Sequence, residues 1–331
     1  MRVSKSAVSL IRRHQSSGRI LAFDQHKSKQ RTAKQPNTDD WLDSIVFMHG
    51  ILGSRRNWRT PANLFIRNNP GFQSFGVDHR GHGGSRFVGE GSSSTVSACA
   101  DDLDAFLHSK DVASSLLMAT PDILVAHSFG GKVALAHLNG RRARGEPIPR
   151  HTWILDSLPG PYVEKRLADG KHSVNSVAGI FEALNSESLL YPSPKAAVDM
   201  LLKRGVALPV AQWLATGCFV PDGPDNPNKL VTWGFDLKTA TALFSDFCRL
   251  DVWPWLEAFD GRGASKEGSD ACVHYVRAGK NQMWSEQDVA RLKALSERGR
   301  GVAYHCMEHV GHWIHVDDCE GLITLISEKS S

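Results

Sequence analysis

Six stretches of the chain share one pattern, an apolar run that stops at a polar or glycine-rich turn: SIVFMHG (44–50), FQSFGVDHRG (72–81), DILVAHSFGG (122–131), TWILDSLPG (152–160), CVHYVRAG (272–279) and VAYHCMEH (302–309). Several are nearly continuous in Val, Ile, Leu and Phe, as strands covered on both faces of a parallel sheet must be. Helical patterns separate them, among them KVALAHLNGRRARG after residue 131, DVARLKALSERG after residue 287 and CEGLITLISEK at the end. Strand, turn and helix in alternation predict a mostly parallel, doubly wound α/β sheet. In such sheets ligands bind beyond the carboxyl ends of the strands, which is where most of these polar turns fall.

One interval breaks the rhythm. About 110 residues separate LDSLPG from ACVHYVRAG, far more than a crossover needs. Helix-like segments fill it: PKAAVDMLLKRG (194–205), PVAQWLATG (209–217) and LKTATALFSDFCRL (237–250). An inserted helical cap is the economical reading. Within it PDGPDNPNKL (221–230) is expected to be a loop, since its prolines and glycine break any helix, and DGRGASKEGSD (260–270) a flexible return. The expected organisation is a core in two parts, 20–158 and 269–331, with the cap and return segment at 159–268.

Composition adds three constraints. The chain has 331 residues, 41% hydrophobic and 22% charged, which suits one large α/β domain with an insertion. Residues 1–40 hold nine Lys and Arg against three Asp, a net of +6 in a chain of net +4, so the remainder carries −2. That body does not suit a polyanion, and the high pI gives no support to nucleic-acid binding. The first 23 residues are Ser- and Arg-rich with no acid before Asp24, the composition of an organelle transit peptide. Val3, Ala7, Leu10 and Ile11 fall near helical spacing, so residues 1–19 are expected to be a targeting segment with a short amphipathic helix. No apolar stretch approaches the ~18 residues of a membrane span, and the six scattered cysteines form no C-x-x-C, which suggests buried thiols in a reducing compartment.

The sharpest chemical signal is LVAHSFGGK (124–132). A buried strand runs into Ser128 and is followed at once by glycines and a helix, the context a nucleophile elbow requires. The turn needs small residues two before and two after the serine. Gly130 supplies one, and Ala126 stands where glycine is usual. The following helix directs its N-terminus at Ser128, placing positive potential where an oxyanion forms. VFMHGILGS adds His49-Gly50 at a strand end, where the amide of Ile51, or of Leu52, can join that of Phe129 as an oxyanion hole. His49 itself reads as a structural histidine, as does His82, and Asp78 and Arg80 in VDHRGHGGS read as loop-shaping residues.

EHVGHWIHV (308–316) puts histidines at 309, 312 and 315. Zinc would need all three on one side, yet a strand pattern precedes them and Gly311 interrupts any helix, so no metal is expected. A histidine after the last strand and behind the serine in chain order serves a hydrolase triad instead. Gly311-His312-Trp313 fits best. The acid is less obvious. The turn after CVHYVRAG offers Asn281, an uncharged amide. Asp156, which ends a buried strand and needs a partner, is one candidate; Glu286 and Asp288 at a helix start, and Asp236 in the cap, are others.

The set HGILGSRRNW, VDHRGHGGS, AHSFGGK, LDSLP, AGKN and GHWIH resembles the α/β-hydrolases, in particular a subfamily of mitochondrial and related bacterial esterases, over about residues 45–320. The resemblance implies the α/β-hydrolase fold and a triad of Ser128, Asp156 and His312. It also implies hydrolysis of acyl esters or thioesters as small-molecule substrates, with no metal or organic cofactor, and supports a mitochondrial, matrix location. Ala126 for glycine and Phe129 for the usual methionine depart from the pattern beside the nucleophile. The competing expectation is a non-catalytic protein that keeps the pocket to bind an acyl group or a partner. Cap tryptophans 213, 233, 253 and 255 are candidates for an acyl pocket, or for the core of the cap.

Overall fold

A computed structural model describes residues 10–14, 20–28, 43–114, 116, 119–164, 172–174, 176–185, 189–221, 229–262 and 270–330. Its strands are β1 (Leu10–His14), β2 (Phe23–Lys27), β3 (Asp43–Met48), β4 (Phe72–Val77), β5 (Ile123–His127), β6 (His151–Leu155), β7 (Cys272–Ala278) and β8 (Val302–Met307). They form one sheet in the order β1-β2-β4-β3-β5-β6-β7-β8. From β4 to β8 all neighbours are parallel, while β1 and β2 are joined antiparallel at one edge.

The helices are α1 (Arg59–Asn68), α2 (Val96–Leu107), α3 (Lys110–Ala113), α4 (Phe129–Ala143), α5 (Val177–Leu184), α6 (Pro194–Lys203), α7 (Leu208–Ala215), α8 (Leu237–Arg249), α9 (Trp253–Ala258), α10 (Glu286–Glu297), α11 (Ile314–Asp317) and α12 (Cys319–Lys329). Two apolar layers show why the strands read as continuous apolar runs. Ile45 and Phe47 of β3 face Trp58, Phe65 of α1 and Ile323 of α12. Val46 and Met48, alternating with them, face the layer that holds Leu103 and Phe106 of α2 and Val133 and Leu138 of α4. Successive side chains point to opposite faces, and here both faces are buried.

All six strands expected from the apolar runs form, and so do the three helices expected in the core and the three in the cap region. The edge is different. Leu10 and Ile11, read as part of a helix, lie in β1, paired with Lys27 and His26 of β2. Residues 1–9 and 15–19, the rest of the expected targeting segment, lie outside the described residues, as do 222–228 of the proline-rich loop and 263–269 of the return segment.

α5 to α9 all lie between β6 and β7 in the chain, within the segment read as a cap. It is tied to the loop after β4 by the bridge His82↔Phe235 and by backbone hydrogen bonds from Gly83 to Gly234 (2.6 Å) and from Asp236 to Gly81 (2.7 Å). Lys132 of α4 makes a second tie. Its fully buried ammonium donates to the carbonyls of Gly160 (2.7 Å), Phe247 (2.9 Å) and Leu250 (2.6 Å) and lies over the Phe247 ring. One side chain thus fixes α4 to the turn after β6 and to the end of α8.

Candidate active site

Ser128 follows β5 directly with φ 52° and ψ −117° and caps α4. A residue with a side chain avoids this region, at a cost of about 1–3 kcal/mol, so the surroundings must hold it. They do so through its amide, which donates to Leu155 O at 2.8 Å, and its carbonyl, which accepts from Gly131 N at 2.8 Å. Gly130 is required by close approach: a Cβ there would stand 2.8 Å from the His49 carbonyl oxygen. Ala126 is accommodated in the β5 register between Met48 and Ile154, fully buried.

Asp156, one residue past β6, also has a positive φ of 48°, and Leu52 a φ of 61°. Backbone strain therefore gathers at the carboxyl ends of β3, β5 and β6, around one place on the sheet. The Asp156 side chain is wholly buried and its carboxylate accepts four hydrogen bonds. Oδ1 takes Ala278 N (3.1 Å) and Trp284 Nε1 (2.7 Å); Oδ2 takes Asn281 Nδ2 (2.6 Å) and His312 Nδ1 (2.7 Å). A carboxylate only accepts, so His312 carries its proton on Nδ1 and leaves Nε2 free to take one.

His312 sits on the loop between β8 and α11. Gly311 N donates to Asp317 Oδ2 (2.7 Å), and His127 Nε2 donates to the His312 carbonyl (2.7 Å), so the loop is braced from both sides. Ser128 and His312 line the same cavity of about 310 Å³, together with Val177, Ile180, Val210, Trp213 and Trp313. No hydrogen bond joins the Ser128 hydroxyl to the His312 imidazole. Such contacts commonly tighten only when substrate binds.

The three histidines diverge. His309 meets Asp318 at the surface (2.8 Å), His312 meets Asp156, and His315 is buried with its ring stacked on Trp58. Two of the other acids considered for the site are occupied at helix starts. Asp236 accepts from Thr239 N at the head of α8 (2.8 Å), and Asp288 pairs with Ser285, the residue capping α10. Glu286 lies in the first turn of α10. Asn281 has a different part from the one its position suggested: it supplies a donor to Asp156.

The oxyanion alternatives also separate. The Leu52 amide donates to His82 Nε2 (3.1 Å), whereas the amides of Ile51 and Phe129 have no hydrogen-bond acceptor among the described residues. His49 is structural as expected, bonding Gly50 O (2.7 Å) and accepting from His79 N (3.1 Å). Asp78 accepts from Arg55 and from Gly84 N, and Arg80 forks onto Asp102 (2.5 and 2.8 Å). Of the four tryptophans expected in a cap, Trp213 lines the cavity; Trp233 and Trp253 are core residues, and Trp255 packs partly buried against the core.

Burial keeps several imidazoles around the site neutral. It pulls His79 and His315 down to about 3 and His82 to about 4, and holds His127 well below its ordinary value of 6.5. Unfolded, these rings take up protons near pH 6.5; folded, His79, His82 and His315 do so only near pH 3 to 4, and His127 only well below 6.5. Their contribution to stability is thus fully present above about pH 6.5 and is lost as the pH falls toward 3. Urea midpoints should fall between pH 7 and pH 4.5; a midpoint that rose or stayed constant would show that these rings are not buried as described.

A strained serine at the end of a central parallel strand, an acid at the end of the next strand and a histidine after the last define a protein of the α/β-hydrolase class. A family model described as "Alpha/beta hydrolase family" matches residues 45–325, and the chain belongs to that family. Among curated relatives, it is similar to a Mus musculus protein named "sn-1-specific diacylglycerol lipase ABHD11", 34% identical over 97 residues, 29% of this chain and 28% of that protein. It is also similar to an abhydrolase domain-containing protein of Schizosaccharomyces pombe, 33% identical over 115 residues, 35% of each chain. The alignments therefore span about a third or less of those relatives. Among solved structures, a marine microorganism esterase shares the fold with a TM-score of 0.63 at 16% identity, over 98% of this chain and 99% of that one.

Proposed function

We propose that the protein is a serine hydrolase that cleaves acyl esters or thioesters through an acyl-serine intermediate. The observation that carries this reading is the His312 Nδ1 to Asp156 Oδ2 hydrogen bond of 2.7 Å, on two loops that meet beside the strained Ser128. In this mechanism His312 Nε2 takes the Ser128 proton as Oγ attacks the acyl carbonyl, and buried Asp156 stabilises the imidazolium. The free amides of Ile51 and Phe129 hold the oxyanion, the latter at the head of α4, where the helix dipole favours negative charge. The bond to the leaving group then breaks, the leaving group takes the proton from His312, and water attacking by the same route releases the acid.

Val177, Ile180, Val210 and Trp313 favour an apolar acyl chain in the cavity. The name of the mouse relative makes glycerolipid esters one class to assay. Wild-type protein is expected to turn over p-nitrophenyl acyl esters well above the buffer rate and equally well with a chelator. Binding of such esters without turnover would favour the non-catalytic alternative, and activity lost to a chelator and restored by zinc would refute the metal-free mechanism.

The acid-free, Arg-rich start of the chain supports a mitochondrial, matrix location, with residues 1–19 as the transit peptide. Among the described residues no helix is long and apolar enough to cross a membrane. A fluorescent fusion of residues 1–19 should enter mitochondria; cytosolic fluorescence would remove the assignment.

A further inference from the structure

A second cavity, of about 380 Å³, lies on the other side of the Leu52-Gly53 turn. It shares Leu52, Gly53, Asn57 and Trp213 with the cavity that holds Ser128 and His312. The two differ in charge. The second is lined by Arg55, Arg56 and Arg86, and its one acidic residue is Asp78. Arg55 is consumed by Asp24 and Asp78. Arg56 and Arg86 have no ion pair with a described residue: Arg56 Nη1 donates to Thr216 O (3.2 Å), and Arg86 Nη1 donates to Trp233 O (2.7 Å) with its guanidinium over the Phe219 ring. Each guanidinium has five N–H donors and uses one of them here.

Arg86 is half-buried, so its charge is partly stripped of water. Its direct contacts are the neutral Trp233 carbonyl and Phe219 ring, and the Asp236 carboxylate, which accepts from Thr239 N, acts on it without forming an ion pair. A partly desolvated cation with no carboxylate in contact gains from an incoming anion. Arginine's planar fork matches phosphate and carboxylate oxygens better than any other side chain.

Resting on the hydrolase reading, we propose that the second cavity receives the leaving-group arm of the substrate and that this arm carries an anion, a phosphate or a carboxylate, held by Arg56 and Arg86. The acyl chain occupies the apolar cavity, the scissile carbonyl lies at Ser128, and the arm passes the Leu52-Gly53 turn. The substrate class is an acyl ester or thioester of a phosphorylated or carboxylated alcohol or thiol.

Two matched pairs test this. Hexanoyl-coenzyme A is compared with S-hexanoyl-N-acetylcysteamine, a neutral thioester, and S-hexanoyl thioglycolate with its methyl ester. In at least one pair the charged member should have the higher kcat/KM, by about tenfold at low salt, shrinking as salt screens the contact. The charged-to-neutral ratio should fall about tenfold in Arg86→Gln and in Arg56→Glu, through KM more than kcat. Preference confined to the first pair identifies phosphate, and to the second, carboxylate. Ratios near one in both pairs, or ratios unchanged in the variants, overturn the proposal. Arg56 is exposed, so its variant serves if Arg86→Gln does not fold. Wild type inactive on every substrate would instead count against the hydrolase reading. The subsite is then read by calorimetry of free coenzyme A and of thioglycolate on the Ser128→Ala protein: binding weakened about fivefold or more by Arg56→Glu supports it, and no binding or equal binding overturns it.

Discussion

His312→Ala is expected to lower kcat by about a million-fold, the scale seen when a triad base is removed, while the protein keeps its fold. In the proposed mechanism His312 accepts the Ser128 proton and returns it to the leaving group, so its loss disables both half-reactions. His309→Ala should stay within about threefold, because the ring pairs with Asp318 at the surface. His315→Ala should report in stability rather than rate, since it empties a buried site between Trp58 and His127. Initial rates on one ester, with melting curves for each variant, separate the three. A folded His312→Ala protein that retained a tenth of the activity would contradict the assignment.

Asp156→Asn is expected to lower kcat by about ten-thousand-fold, roughly 5 kcal/mol. The structure supplies a specific reason. The carboxylate accepts from Ala278 N, Asn281 Nδ2, Trp284 Nε1 and His312 Nδ1, two donors on each oxygen. An asparagine offers one acceptor oxygen and sets its own NH2 against a pair of donors, so either the ring or the Ala278 and Trp284 side loses its partner. If the amide group faces His312, the ring proton moves to Nε2 and the base is lost. Glu286→Gln, Asp288→Asn and Asp236→Asn should remain within a few-fold of wild type in the same assay, since the last two serve helix starts and Glu286 lies in the first turn of α10. Near wild-type kcat for Asp156→Asn, with a collapse in any of those three, would move the acid elsewhere.

What could be read before the fold was known follows from the range of each signal. Strands β3 to β7 are buried on both faces, so their apolar runs announce them, while β8 at the sheet edge is half-buried along its middle. β2 is not apolar: Asp24, Gln25 and His26 are buried polar residues bonded to Arg55, Gln73 and Asn63. Those partners are 31 to 48 residues away, and no local pattern reveals them. β1 misled for a related reason, because a few apolar residues near helical spacing cannot distinguish a short helix from an edge strand. Ser128 and His312 stood out because each sits in a local motif. Asp156 could be nominated by its place at a strand end, but choosing it needs the crowd of donors around it. Trp284 and His127 were missed as partners, since their contacts span 128 and 185 residues. Leu52 and Ile51 were separable only once His82 was seen to take the Leu52 amide.

The central claim is that Ser128 is the nucleophile held by the Asp156 and His312 loops, and covalent labelling tests it most directly. Wild-type protein treated with a fluorophosphonate should gain one adduct in intact mass, mapped by peptide sequencing to Ser128, and Ser128→Ala should gain none. An adduct on another serine, or equal labelling of wild type and Ser128→Ala, would contradict it.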